Sequence, residues 1–531
     1  MGNVGRRAAR GKRLTRRART PDCRAVLVPT AARRLTAFGL GAAALVGVVF
    51  LTRAPAPGLD DDAMSYLGAA MSLVHGHGLR VPTADWYDAD TTSALGHFPP
   101  GFSLALAPPV ALGMPPVQAA RLIEAVSALV TVGGAAWLLF PESLGAALLV
   151  ALLIAVTPDV ALDHARVLSE PLFLALLVVT VVLAARRRGR PWEAGAAAAA
   201  AGLVRYAGFA LAGALAVIEF LDPGAFRARA RRAALAVVPT VVVDGAWLLL
   251  ARHHGAAVRH IAWRGALGPA WGEAWGTLRA WLVPAPLAGP LGAALACLAL
   301  AGLALLARAA ARDAESDPGA TRRLAIVAGV MGACYAAFLV AARAIADPWI
   351  PFDGRLLSPL FVLAALVAAA GASRGWRAWP AAGRTALVVG LAAWSAGSAR
   401  LTIGVAADVS GDGWGYSGED FLAGGTAGWL AAHADGRAVF TNNTAAAWFV
   451  TGRPARGLPQ AGDDDATVAA FGDTLRVRRG VLVGFGSGDA ALVPPDALAR
   501  RLGLRLLARL GDGRVWDAPV PLVLAAPRSG P

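Results

Sequence analysis

Long runs of alanine, leucine and valine recur along the whole chain, broken at short intervals by clusters of arginine. A helix needs about 20 apolar residues to cross the hydrocarbon core. The runs 35–52, 122–140, 233–250, 291–307 and 324–342 approach or meet that length. A chain of 531 residues would ordinarily suggest several soluble domains, but this hydropathy overrules that reading. The pattern predicts an all-α polytopic membrane protein.

Cytoplasmic loops carry an excess of Lys and Arg, so the arginine clusters set the orientation. Residues 1–34 read as a basic cytoplasmic tail. The first span, 35–52, follows a basic lead as a signal peptide would, but it is long for an h-region and lacks a clear small-residue cleavage site. It reads as a retained span. An outer loop, 53–118, follows, whose "FPPGFSLALAPPVALGMPP" is too interrupted by proline to be a span and reads as interfacial. Further spans fall at 119–139, 143–158 and 171–185, the last ending at "ARRRGR". A short pair, 192–204 and 207–220, meets at "VRYAG", and spans at 233–250, 287–307, 324–343, 356–371 and 383–400 complete the set. The total is about eleven spans. Counting 98–113 as another would place "ARRRGR" outside, against the charge rule. Residues 35–400 are therefore expected to form the transmembrane domain.

After residue 400 the chain gains Asp, Gly, Thr and Asn, and its apolar runs shorten. "RAVFTNN" and "GVLVGFG" read as buried strands, "TAAAWFV" as a helix and "LRLLARLGDGRVWDA" as a hairpin. Residues 401–531 are expected to form a small extracytoplasmic α/β domain.

The formal charge of +15 could suggest nucleic acid, but the basic residues sit in clusters between spans and no nucleic-acid motif accompanies them. Anionic lipid is the partner that distribution fits. Cys23, Cys297 and Cys334 form neither a metal-ligand spacing nor a disulfide framework. The arginine, alanine and glycine richness suggests a GC-rich bacterial coding sequence. No Walker loop, dinucleotide glycine motif or zinc helix motif is evident.

The predicted topology gathers Asp60, Asp61, Asp62, His97, Asp163, His164, Arg166, Glu170, Arg205, Tyr206, Asp353 and Arg355 at the outer face. Ionisable groups at membrane depth are costly, which points to function. In "GLDDDAMSY" an aspartate sits at a helix start, since Tyr66, Ala69, Ala70, Leu73 and Val74 recur at helical spacing. N-capping, worth about 1 kcal/mol, explains one carboxylate but not three. Crowded carboxylates suit a general base or a metal site. Glu170 lies in "SEP", with Ser169 placed as an N-cap and Pro171 in the first turn. Its acidity also suits a helix N-terminus without any function. His75 and His77 read as a solvated turn, "DDD" at 463–465 as a surface turn, and the Trp-rich loop 263–281 as an interfacial belt.

Asp62, followed four residues later by Tyr66 and then "AAMSLVHGHGL", resembles the first outer loop of the GT-C membrane glycosyltransferases. These include protein O-mannosyltransferases, the aminoarabinose transferase of lipid A and related bacterial enzymes using polyprenyl-phosphate sugars. "HFPPGFSLAL", "AARLIEAVSAL", "ARVLSEPLFLALL", "GLVRYAGFAL" and "FDGRLLSPLFVL" resemble later segments of that family in order, covering roughly residues 35–370. The resemblance implies an inverting glycosyltransferase of the plasma membrane. It would move a sugar from a polyprenyl-phosphate carrier to a glycan, lipid or protein acceptor of the cell envelope. Asp62 is implied as the base, with Asp61 as its alternate because the triplet leaves the register open. Glu170 would orient acceptor or donor sugar. Arg205 and Arg355 would meet the departing phosphate, which guanidinium matches bidentately. Arg166, Tyr206 and His97 complete the substrate-binding set, although His97 stands one residue further from Pro-Pro than the family's basic residue. A divalent cation among the aspartates is left open. The rival from another class is a transporter or flippase of a lipid-linked glycan, disfavoured because the acids cluster at one interface and no half-repeat is visible. A second rival is a silent scaffold displaying the outer domain.

Overall fold

The computed structural model describes residues 30–53, 55, 57–186, 190–255, 262–265, 267–283, 289–311, 320–433, 436–489 and 491–518. The basic tail lies almost wholly outside these residues. The chain begins with α1 (Thr30–Leu51), α2 (Asp61–Val74), α3 (Gly101–Ala111), α4 (Pro116–Leu139), α5 (Leu144–Ala155) and α6 (Pro158–His164). It continues with α7 (Glu170–Ala185), α8 (Pro191–Val204), α9 (Phe209–Leu221), α10 (Phe226–His253) and α11 (Leu267–Leu282). The long helices α12 (Gly289–Ala311), α13 (Ala320–Ile345), α14 (Gly354–Ala378) and α15 (Ala381–Asp412) follow. Among the described residues, 7 helices are long and apolar enough to cross a membrane, or 8 if the bent pair α5–α6 counts as one span. The protein is a multi-pass membrane protein. Each predicted span falls on a helix, but several of those helices are shorter than a full crossing.

The bundle is organised around α7. Its sequence is apolar all round, as a helix enclosed by neighbours must be. Phe173, Leu174, Leu177, Val178 and Val181 are almost fully buried in the largest core cluster. Between apolar helices in lipid, association rests on close backbone approach, which small residues permit. The alanine-rich α8 uses this against α10: a Cβ on Gly195 would lie 2.2 Å from the Ala236 carbonyl oxygen. The third predicted span does not continue straight through 158. It breaks after α5, and α6 leaves at 67°, carrying Asp159, Asp163 and His164 toward the first turn of α7.

The loop 53–118 is more structured than expected. It contains α2, α3 and the short strands β1 (Arg80–Val81), β2 (Thr83–Ala84) and β3 (Ser93–Ala94). "FPPGFSLALAPPVALGMPP" forms the 11-residue α3, well short of a span. The segment 263–281, expected as a loop, is largely the helix α11. Its Trp271 and Trp275 are exposed, whereas Trp281 is buried.

The expected boundary at residue 401 moves outward, because α15 runs unbroken to Asp412. The elements beyond it are α16 (Glu419–Leu422), α17 (Gly425–His433), β4 (Val439–Thr441), α18 (Thr444–Thr451), β5 (Ala455–Arg456), α19 (Asp465–Val477), β6 (Val481–Phe485), α20 (Pro495–Arg501), β7 (Arg505–Leu510) and β8 (Gly513–Asp517). The six-stranded sheet has the order β2-β5-β4-β6-β8-β7. Strands β2, β5, β4 and β6 run parallel, and the β7–β8 hairpin closes the other edge antiparallel. β6 is buried at every position, as a central strand should be. Strand β2 comes from the loop after α2, so this unit is not made from residues beyond 400 alone. The "DDD" at 463–465 is a helix start rather than a simple turn, since Asp464 accepts from the Thr467 amide at 2.8 Å and caps α19.

The contact at Gly195 sets a stability test. Gly195→Ala is expected to cost about 1–3 kcal/mol through overpacking. Gly213→Ala on α9, where a Cβ would meet nothing, is expected to be neutral or stabilising by up to about 1 kcal/mol. Thermal unfolding of both variants in detergent checks the contrast.

Candidate active site

The segment entering α2 is stitched on both sides before its aspartates begin. The Gly58 amide donates to Ala165 O at 2.9 Å, and Val167 returns a bond to Gly58 O at 2.9 Å. On the other side, Leu59 donates to Trp414 O at 3.1 Å and accepts from Tyr416 at 2.8 Å. The three aspartates then fan out to three different partners. Asp60 accepts from Arg166 Nη1 at 3.1 Å. Asp61, which is exposed, meets the Tyr416 hydroxyl. Asp62 binds the Arg355 guanidinium through Nη2. The expected cap is absent, since Asp60 occupies the N-cap position of α2 without a side-chain cap bond. Its carboxylate is spent on Arg166. Burial raises the Asp60 pKa above its ordinary value, with Arg166 and Arg355 opposing that rise.

Arg355, in the first turn of α14, is the bridge of the site. Its Nε meets Glu170 and its Nη2 meets Asp62. Glu170, whose side chain is only 3% exposed, also pairs with Arg205 Nη1. Two carboxylates and two guanidiniums thus form one charge-balanced unit drawn from α2, α7, α8 and α14. The N-termini of α2, α7 and α14 converge here. Their partial positive charges add to the arginines, an arrangement suited to an anion.

Ser169 was placed as an N-cap by sequence. It holds the N-cap position of α7 but makes no cap bond. Its hydroxyl donates to Glu170 Oε2 at 3.3 Å and accepts from Arg205 Nη1 at 3.2 Å, so the Tyr66 hydroxyl, 3.0 Å away, is left to donate to it. Tyr66 is 1% exposed, and burial pushes its phenol pKa upward. Asp353 is a true cap, accepting from the Leu356 amide at 3.0 Å. Behind it, Asp159 accepts from Trp281 Nε1 at 2.5 Å. Its carboxyl group lies so close to Gly354 that a Cβ there would fall 2.1 Å from Asp159 Cγ.

The other expected residues lie around this centre. Arg166 stacks over Trp414, 5.7 Å from the ring, and reaches Asp163 Oδ1 at 3.9 Å. Asp163 and His164 are buried, and His164 Nδ1 turns back to Val160 O at 2.8 Å. Tyr206 donates to Gly96 O at 3.3 Å, which sets it beside the loop carrying His97. His97 is exposed and lies edge-on to Phe98. His75 lies in the solvated turn expected for it, with Nδ1 2.7 Å from Met71 O.

Tyr416 and Asn443 were not anticipated. Tyr416 lies 2.9 Å from Asn443 Oδ1, and that oxygen also caps α18. The unit beyond α15 therefore reaches the aspartates directly. Neither residue sits in a recognisable motif, and only the folded chain brings them to α2. As for a metal, the carboxylates diverge, and no group of three or more His, Cys, Asp or Glu among the described residues is arranged to hold an ion. The triplet does not fit a shared cation.

No family model matches the sequence, and no curated protein matches it. Solved structures share its fold. ArnT from Cupriavidus metallidurans bound to undecaprenyl phosphate superposes with a TM-score of 0.60 at 15% identity, covering 92% of this chain and 99% of that one. The arabinofuranosyltransferase AftD from Mycobacteria gives 0.53 at 18% identity, covering 91% of this chain and 40% of AftD. The archaeal oligosaccharyltransferase AglB from Archaeoglobus fulgidus, in complex with an inhibitory peptide and a dolichol-phosphate, gives 0.52 at 13% identity, over 85% and 69%. The chain has the GT-C fold that its motifs resemble.

The bridge predicts a stability asymmetry. Glu170→Gln leaves two guanidiniums without their shared buried counter-charge and is expected to destabilise by about 3–5 kcal/mol. Asp61→Asn, at an exposed position, is expected to stay within about 0.5 kcal/mol. Denaturation midpoints of the two purified variants against wild type check this.

Proposed function

We propose that this protein is an inverting, polyprenyl-phosphate-dependent glycosyltransferase acting on a cell-envelope acceptor. The reading rests above all on Arg355 bridging Asp62 and Glu170, with Arg205 on the same Glu170. GT-C neighbours that carry undecaprenyl phosphate and dolichol-phosphate support the donor class.

In this reading the donor phosphate approaches Arg205 and Arg355, where fixed positive charge stabilises a departing phosphate without reorganisation. A phosphate that draws Arg355 toward itself leaves Asp62 free to accept a proton. Asp62 then takes the proton from the acceptor hydroxyl. The hydroxyl oxygen forms its bond to the anomeric carbon as the bond to phosphate oxygen breaks, and the lipid phosphate leaves with the electron pair. Attack from the face opposite the leaving group inverts the anomeric configuration. Glu170 holds both arginines in position, and Asp61 stands by as the alternate base. No step runs through a divalent cation, because the arginines supply the charge. Arg166, Tyr206 and His97 line the approaches to this centre.

The same reading takes about eleven crossings, with the N-terminus cytoplasmic and the catalytic ends and C-terminal unit outside the plasma membrane. The arginine clusters at 185–190, 226–232 and 307–323 support that orientation.

The test replaces Asp62 by Asn and follows sugar transfer by mass analysis of envelope glycans in a deletion strain carrying the variant. Asp62→Asn is expected to lower transfer by about 10²–10⁴-fold. The purified variant should still bind undecaprenyl phosphate, which separates the base from the phosphate site. Undiminished transfer by well-folded Asp62→Asn protein would remove the proposed base.

A further inference from the structure

A second charged concavity lies at the opposite ends of α7 and α8, two of the helices that build the site. Helix α7 begins at Glu170 in the catalytic cluster. Its 16 residues rise about 24 Å, at roughly 1.5 Å each, before reaching Leu183, Ala184 and Arg186. There the ends of α7 and α9 and the beginnings of α8, α10 and α13 enclose a cavity of about 740 Å³. Five arginines line it, against two carboxylates, Glu219 and Asp222.

The two carboxylates are already committed. Arg323 is held by both oxygens of Asp222 at 2.7 Å and by Ala184 O at 3.0 Å, and Arg232 is held by Glu219 at 2.7 Å. These pairs fix the walls. Arg186 and Arg190 form no ion pair among the described residues, and both are exposed. The lining thus keeps a formal excess of positive charge beside the exposed apolar side chains of Leu221 and Ile326, backed by the buried Leu215, Ile218 and Val327. A site that is cationic at its rim and apolar in its wall matches an amphiphile with an anionic head. Basic pockets between membrane helices take such head groups, and guanidinium suits their phosphate oxygens.

We propose that this cavity holds the phosphate head group of an anionic phospholipid from the leaflet opposite the catalytic ends, with an acyl chain along the apolar wall. It is a separate site from the catalytic cluster and does not rest on the glycosyltransferase reading. The apolar wall favours a lipid over free phosphate.

Native mass spectrometry of the delipidated full chain, titrated with phosphatidylglycerol or phosphatidylcholine, tests this. Wild type is expected to bind its first phosphatidylglycerol at least about tenfold more tightly than phosphatidylcholine. Arg186→Gln/Arg190→Gln should weaken that binding by roughly tenfold or more, and Arg186→Gln alone by an intermediate factor. Arg227→Gln/Arg231→Gln removes the same charge from the start of α10 outside the cavity and should leave binding nearly unchanged. Equal losses in the two double variants would overturn the proposal, as would equal affinity for the two lipids. So would thermal stabilisation by inorganic phosphate that matches phosphatidylglycerol.

Discussion

The structure turns on one buried carboxylate. Glu170 sits at the first turn of the most enclosed helix in the bundle, where an unpaired charge would be costly. Its two guanidinium partners arrive from α8 and α14, and one of them continues to Asp62 on α2. Four helix ends far apart in sequence are thereby held at a common point. Remove the carboxylate, and two arginines are left facing each other across converging positive helix ends. The same balance leaves both guanidiniums already oriented, which is what the proposed phosphate site requires.

The second constraint is the tie between the membrane bundle and the unit beyond it. The strand-like segment before α2 is bonded on one side to the α6–α7 link and on the other to Trp414 and Tyr416. Strand β2 from the same loop forms the edge of the six-stranded sheet. Arg456, 2% exposed, donates to the carbonyls of Asp85 and Asp88 at 3.1 and 2.8 Å and to that of Asp90 at 2.8 Å. The outer loop is thus clamped into the sheet unit rather than left free. Asp61 faces Tyr416 from that unit, so the contact between the two units includes the aspartate triplet.

Much of this was legible in the sequence because bilayer physics is strict. Apolar runs and arginine clusters located the helices, and the positions of Asp62, Glu170, Arg205 and Arg355 beside helix ends marked them out. What local pattern could not supply was the partner of each group. Asp60 and Ser169 have the chemistry of caps, yet each spends its side chain on a tertiary contact. Asp464, read as part of a surface turn, is a cap. The break after α5 had no proline or glycine cue beyond Pro158, and α11 was hidden by its tryptophans and glycines. The boundary at 401 was set by the change of composition after residue 400, and α15 stays helical past its apolar stretch to Asp412. Tyr416 carries no motif, and its role appears only when strand pairing across more than 300 residues of chain is known.

The most direct measurement is an experimental structure of the full chain with undecaprenyl phosphate. Phosphate density is expected within hydrogen-bond reach of both Arg205 and Arg355, with Arg355 drawn away from Asp62 while Glu170 stays in place. Phosphate bound elsewhere, with Arg355 still closed on Asp62 and Glu170, would contradict this expectation.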